Sequence, residues 1–285
     1  MKKIIFITGT STGFGKLAAI HLAKQDNIVI AGMRESSTRN KNAADELSKL
    51  SNIEVVDIDV TDDLSVKTAF EAVLLKHGRI DVLVNNAGVV GYGLVESFNI
   101  EQIKKIFEVN FYGTIRTYQA VLPSMRRLKN GLIINITSGA SGHTLPFMVP
   151  YLASKFSVES LTEGIQEELR QFNIENVSIQ PGAYPTEMTD GSKKSMDGEK
   201  SDISAQYEPV ASEMLNAITS GLFGKMQKYN MDPQVIVDGI TSLINMENGT
   251  RPLRLPLDQI AEGTDKEFIE KRAEIKARWL EKYMG

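Results

Sequence analysis

Cysteine is missing from this 285-residue chain, which removes disulfide frameworks, thiolate nucleophiles and sulfur-ligated zinc sites. Histidine is scarce. His21, His77 and His143 are the only three, and none stands in the H-x-x-x-H spacing of a helical metal pair, so no metal site is expected. An excess of one charge is lacking too: 32 basic against 36 acidic side chains leave −4, which gives no footing for nucleic acid or a membrane surface. No stretch approaches the roughly 18 uninterrupted apolar residues of a membrane span. The run Ile4-Ile5-Phe6-Ile7 stops at Thr8-Gly9, short of the ~7–15 apolar residues of a signal peptide. The expectation is a cytoplasmic protein, in which the N-x-[ST] triplets at Asn135, Asn176 and Asn248 carry no glycosylation meaning.

What is present is ordinary globular material, 42% apolar and 24% charged, enough for a buried core. Short apolar runs at 3–7, 27–32, 53–58, 80–85, 131–137 and 176–180 alternate with amphipathic stretches near 14–25, 41–50, 62–77, 99–128 and 151–172. Several runs are nearly continuous in apolar residues, as strands buried on both faces are. The alternation predicts a single α/β domain with a doubly wound, Rossmann-like parallel sheet and helices on both faces. Thr61-Asp62-Asp63 and Gly78 mark the start and stop of the third helix. Beyond 182 the pattern changes: a long loop over 183–204, helices near 205–222 and 232–246, an extended 251–256 and a final helix over 264–283. In that last helix Phe268, Ile275, Trp279 and Tyr283 fall at helical spacing and read as a packing stripe.

The turn after the first strand reads Thr8-Gly9-Thr10-Ser11-Thr12-Gly13-Phe14-Gly15. Glycine lets backbone approach a ligand, and the following helix start offers free N–H groups and a positive dipole end to a pyrophosphate. The same residues match G-x-S-x-G, which would make Ser11 a hydrolase nucleophile; that reading needs a late histidine, and none lies in the second half after His143. After the second strand comes Met33-Arg34. An acid there would suit the ribose hydroxyl of NAD, whereas an arginine suits the 2′-phosphate of NADP, so NADP is the expected cofactor ahead of NAD.

Tyr151 is the only tyrosine with a lysine four residues on, Lys155, which puts phenol and ammonium on one helix face. Lowering a phenol from pKa ~10 to ~7 takes about 4 kcal/mol, within reach of a lysine together with a positively charged oxidised nicotinamide in a dry site. Asn85-Asn86-Ala87-Gly88 closes the fourth strand, Ser138 the fifth, and Pro181-Gly182 with Thr186 follows the sixth; Asn110 falls within 99–128. These are carboxyl ends of strands, where open α/β sheets bind ligands. The acids Asp57, Asp59, Asp62 and Asp63 do not make a calcium loop, because its glycine and distal glutamate positions hold Asp62 and Thr68.

In order and spacing these motifs resemble the single-domain branch of the short-chain dehydrogenase/reductase family, over about residues 3–190. The resemblance implies that Gly9, Gly13 and Gly15 shape a cofactor turn with Phe14 where the family often has isoleucine. Ser11 and Thr12 would flank phosphates, Asp59 and Val60 border adenine, and Asn86, Ala87 and Gly88 support the adenosine ribose. Asn110, Ser138, Tyr151 and Lys155 would form a catalytic tetrad, with Tyr151 and Lys155 also touching cofactor, and Pro181, Gly182 and Thr186 would meet the nicotinamide end. It further implies a homo-oligomer, dimer or tetramer, joined through 99–128 and 151–172. Residues 183–230 would form a substrate lid carrying Met188, Met196, Met214, Leu222, Phe223, Met226 and Tyr229, with a C-terminal extension over 250–285. Such thioether-rich surfaces suit apolar ligands, so the expected small-molecule substrate is an apolar ketone, aldehyde or alcohol of lipid- or steroid-like character. His143, between Ser138 and Tyr151, reads either as a substrate contact or as a loop residue. A dinucleotide sensor with an idle pocket remains the alternative from another class.

Overall fold

A computed structural model describes residues 2–189 and 197–284. Seven strands form one parallel sheet in the order β3-β2-β1-β4-β5-β6-β7. They are β1 (Ile4–Thr8), β2 (Ile28–Met33), β3 (Ile53–Asp57), β4 (Val82–Asn85), β5 (Gly131–Ile136), β6 (Ile174–Pro181) and β7 (Arg254–Leu257). The order reverses between β1 and β4, which opens a crevice at their carboxyl ends. The continuous apolar runs have a direct cause. Ile5 and Ile7 of β1 enter the core on one face while Ile4 and Phe6 enter the core on the other, because side chains alternate along a strand and both faces are covered.

The helices are α1 (Gly13–Lys24), α2 (Lys41–Leu47), α3 (Asp63–His77), α4 (Ile100–Phe107), α5 (Gly113–Leu128), α6 (Val149–Arg170), α7 (Ser201–Gln206), α8 (Val210–Lys228), α9 (Gln234–Asn245) and α10 (Thr264–Met284). The third begins as expected, with the Asp62 carboxylate accepting from the Ser65 amide at 2.7 Å, and ends on Gly78. No helix among the described residues is long and apolar enough to cross a membrane.

Three expectations need correction. The stretch 99–128 is not one helix: a π-helical turn, Glu108–Tyr112, separates α4 from α5. The loop expected over 183–204 ends earlier, and the helix expected over 205–222 divides into α7 and α8 at Pro209, which lacks the amide hydrogen a helix interior requires. The packing stripe of α10 is exposed, with Trp279 at 52%. Ion pairs from Arg272 and Lys276 to Glu163 of α6 fasten the helix to the body. The extended segment near 251–256 becomes β7, a seventh strand at the sheet edge, where Pro256 is tolerated.

Candidate active site

The glycine turn is locked to the sheet by two side chains. Thr8 at the end of β1 accepts from the amides of Asn86 (3.1 Å) and Ala87 (3.0 Å), and Asn86 Nδ2 donates to the carbonyls of Thr8 and Gly9, both at 2.9 Å. Gly9 has φ +70°, and a Cβ there would stand 2.8 Å from Ala87 Cα; one on Gly15 would stand 2.4 Å from the Gly9 carbonyl oxygen. These two positions therefore take no side chain. Ser11 is half-buried and Thr12 exposed just before α1. The Phe14 ring packs edge-on to Tyr184, centroids 5.7 Å apart. The first amide of α1, Gly13, donates to Glu187 Oε2 at 3.0 Å, so this helix start already holds an anionic oxygen, as its dipole favours.

At the end of β2, Arg34 is exposed and forms no ion pair among the described residues. The acid on the neighbouring strand, Asp57, is engaged by the Ser36 amide (2.7 Å) and hydroxyl (2.6 Å). Asp59 folds back onto Thr61, whose amide and hydroxyl donate to its Oδ1 at 2.9 and 2.7 Å, and Val60 is buried. Val60 lies against Gly113, the first residue of α5.

The π-helical turn aims Asn110 inward. Its Oδ1 accepts from the Val89 amide (2.8 Å), and its Nδ2 donates to the Val89 carbonyl and to Ser154 Oγ, both 2.9 Å. The turn thus ties α4–α5 to the segment after β4 and to α6. Gly88 lies between Asn110 and Lys155: a Cβ there would meet their polar ends at 3.4 and 3.5 Å.

Tyr151 and Lys155 sit in the first two turns of α6, both buried, at 8% and 5% exposure. Lys155 Nζ donates to the Ile136 carbonyl at the end of β5 (2.8 Å) and lies 5.9 Å from the Tyr151 ring centroid. Burial brings Lys155 down to about 8, opposed by the charge of Glu159. Burial pushes the Tyr151 phenol up, the nearby Tyr92 adds to that, and bonding to Ser138 opposes it. In the chain by itself the phenol is therefore a proton donor at neutral pH. Ser138 is half-buried two residues past β5, its Oγ 3.2 Å from the Ala140 amide that donates to it.

Pro181 and Gly182 close the far side. The Gly139 amide donates to the Pro181 carbonyl at 2.6 Å, and the Gly182 amide to the Leu257 carbonyl of β7 at 2.9 Å. Thr186 begins a short turn, its amide donating to Thr189 Oγ1 at 2.9 Å.

A family model of short chain dehydrogenases matches residues 3–197. This chain belongs to the short-chain dehydrogenase family. The dehydrogenase is 31% identical over 268 residues to a 3-ketodihydrosphingosine reductase of Bacteroides thetaiotaomicron, covering 94% of this chain and 93% of that one. It is 35% identical over 191 residues to bovine retinol dehydrogenase 8, covering 65% and 60% of the two chains. Among solved structures, a short-chain dehydrogenase from Streptomyces avermitilis superposes with TM-score 0.76 at 27% identity over 99% of this chain and 97% of its own. ElxO with NADP bound superposes at 0.70 and 26% identity, over 90% and 98%. The chain is an oxidoreductase with the doubly wound sheet of that family.

Sequence reasoning did not single out Tyr92, Glu187 or Ser154. Tyr92 packs with Val90, Ala140, Met148 and Leu152 around Tyr151. An aromatic between Gly91 and Gly93, just past a strand end, was a readable signal. Glu187 follows Thr186 directly, yet nothing in the sequence marks it as reaching Gly13, 174 positions away. Of the expected lid residues, Met226 is buried in the core beside Met231 rather than on a surface, Met188, Met214, Leu222 and Phe223 are exposed, and Met196 lies outside the described residues. His143 is exposed, its ring edge-on to Phe268 at 5.9 Å.

Proposed function

We propose that this dehydrogenase prefers NADP and interconverts the carbonyl and alcohol forms of an apolar substrate, with Tyr151 as the acid/base. The observation that carries the reading is the setting of Tyr151: a buried phenol in an apolar cluster, one helical turn before a buried lysine fixed to the adjacent strand end.

The residues present fit a dinucleotide. Gly13 already holds a carboxylate oxygen where a pyrophosphate would lie, the glycine turn admits no side chain, and the guanidinium of Arg34 is free, among the described residues, for a 2′-phosphate. Bound NADP would supply or accept the hydride. Around it, Gly9, Ser11, Thr12, Gly13 and Gly15 would hold the phosphates, Phe14 backing the turn. Asp59, Val60, Asn86, Ala87 and Gly88 would line the adenosine half, and Pro181, Gly182 and Thr186 the other end.

Ser138 holds the substrate oxygen, and Tyr151 donates its proton to that oxygen in reduction or removes it in oxidation. The Lys155 ammonium stabilises the phenolate that reduction leaves behind. Asn110, clamped by Val89 and Ser154, keeps the π-helical turn open beside Lys155. The wall of Val90, Tyr92, Ala140, Met148 and Leu152 favours an apolar carbonyl. The names of the sphingoid-base and retinol relatives agree with such a substrate. Two contacts frame the lid over this cleft: Glu187 on Gly13 at one side, and Asp197, whose Oδ1 accepts from the Tyr92 amide at 2.9 Å, at the other.

The test is NADPH consumption over a panel of ketones and aldehydes, repeated with Tyr151→Phe. Turnover is expected to fall by at least ~100-fold while the protein stays folded and binds cofactor. Wild-type turnover in that variant would remove Tyr151 from the chemistry, and a preference for small polar sugars would remove the apolar substrate.

A further inference from the structure

Glu159 is the one carboxylate buried in the core among the described residues, at 1% exposure, and the proton relay above makes no use of it. It lies on α6 one turn beyond Lys155, and three side chains converge on it, two from the segment after β5 and one from β7. Thr137, just past β5, donates to Oε1 at 2.7 Å; Ser141 Oγ lies 3.5 Å from the same oxygen; Arg254 Nε of β7 donates to Oε2 at 2.9 Å. Lys155 hangs from the Ile136 carbonyl and Glu159 from the Thr137 hydroxyl, so lysine and carboxylate are pinned to consecutive residues of one strand end. The Arg254 guanidinium, itself buried, continues to Glu163 of α6, and Glu163 takes Arg272 and Lys276 of α10. A run of alternating charges thus leads from the candidate relay into the C-terminal extension, outside the residues 3–197 that match the family model.

A buried ion pair is weak support for stability, because apolar residues of the same volume fill such a site at least as well. Its placement beside a buried lysine gives it another use. We propose that Glu159, held by Arg254, is a positioning residue that sets the charge of Lys155, so that the C-terminal extension takes part in tuning the proton relay.

The inference rests on the reading of Tyr151 and Lys155 given above. The polar and titratable groups around Tyr151, Lys155 and Glu159 are few. From α6 come Tyr151 and Glu159; from the β5 end, the Ile136 carbonyl with the Thr137 and Ser138 hydroxyls. The π-helical turn contributes neutral Asn110, the segment after β4 contributes Tyr92, and β7 contributes Arg254. Farther out lie Glu163, Arg272, Lys276 and, beyond Gly139, Asp258. Of these, only Glu159 is an anion adjacent to Lys155 on its own helix face, and it favours the ammonium. Arg254 opposes it by neutralising that anion.

The experiment follows the Cε resonance of Lys155 against pH in full-length, cofactor-free protein carrying 13C-lysine, the signal being identified by its loss in Lys155→Met. The midpoint is expected near 8 in the wild type. In Glu159→Gln it should fall by about one pH unit, in Arg254→Met it should rise, and in Arg254→Lys, which keeps the charge, it should stay. The alkaline limb of carbonyl reduction should move in the same directions. If Glu159→Gln does not fold, the contrast between Arg254→Met and Arg254→Lys decides. Coincident midpoints in the folded variants, or equal shifts for Arg254→Met and Arg254→Lys, overturn the proposal. The two readings fail separately: retained turnover in Tyr151→Phe sinks the acid/base role, whereas lost turnover there with unmoved lysine midpoints sinks only the role of Glu159.

Discussion

Between residues 85 and 176 the dehydrogenase buries polar side chains and satisfies them with one another; between 201 and 228 it buries almost nothing. In the first region Asn85 of β4 donates to Asn135 of β5 (2.9 Å) and accepts from Thr117 of α5 (2.7 Å). Asn135 donates onward to Tyr118 (2.7 Å) and Thr162 (2.9 Å), and Asn176 of β6 donates to the Thr162 carbonyl (2.8 Å). In the second, α7 has no buried side chain and α8 only Met226. Under the proposed function the difference separates two jobs. A proton relay must hold atoms to within a fraction of an ångström, and a saturated lattice in a dry interior does so by allowing one arrangement. A surface that covers ligands of varied shape gains from few internal commitments.

The sharpest way to break this comparison is to unsatisfy the lattice. Asn135→Leu strands the Asn85 amide and takes one donor from the Tyr118 and Thr162 hydroxyls on α5 and α6, and should lower stability by about 2–4 kcal/mol in urea unfolding. A change under about 0.5 kcal/mol would mean that the lattice is incidental and that packing by itself aligns α5 and α6 on the sheet.

The same contrast explains what could be read in advance. The sheet was legible because the strands from β1 to β6 are short segments rich in apolar residues and closed by turns, and the motif residues lie at the strand ends where their spacing shows. The lattice was not. Asn135 and Asn176 sit inside such runs, and only the register that pairs Asn85 with Asn135 and Ile133 with Asn176 brings them together. The π-helical turn at Asn110 was hidden as well, since the apolar period over 99–128 carries no mark of one extra residue in a turn. Glu159 and Arg254 are 95 positions apart and meet only because β7 joins β6. Over 201–228 local pattern promised one helix where Pro209 makes two, and a methionine assigned to the surface, Met226, is in the core.

A milder test lies on the rim of the rigid region. Arg34 is fixed in place by the end of β2 but its guanidinium is free among the described residues, so Arg34→Ala should leave the fold intact. It should weaken NADPH about tenfold relative to NADH, as expected for loss of one charge-assisted contact to phosphate. Equal effects on the two cofactors, measured by fluorescence titration, would take Arg34 out of phosphate recognition and the preference for NADP with it.

The smallest effect belongs to the region with few commitments, and it separates stability from selectivity. Phe223 on α8 is 56% exposed, so Phe223→Ser should shift unfolding by no more than about 0.5 kcal/mol. Under the proposed lid role the same change removes apolar area that covers the substrate but not the reacting carbon. That loss is uniform in ground and transition state, so it should raise KM for the largest apolar substrates about fivefold and leave kcat alone. An unchanged KM across the apolar panel would show that α8 does not cover the cleft, and selectivity would then fall to the rigid wall of Val90, Tyr92 and Leu152. A fall in kcat with KM unmoved would be the opposite lesson: the exposed helix would be holding the relay in place, and the division between a saturated frame and an uncommitted cover would not describe this molecule.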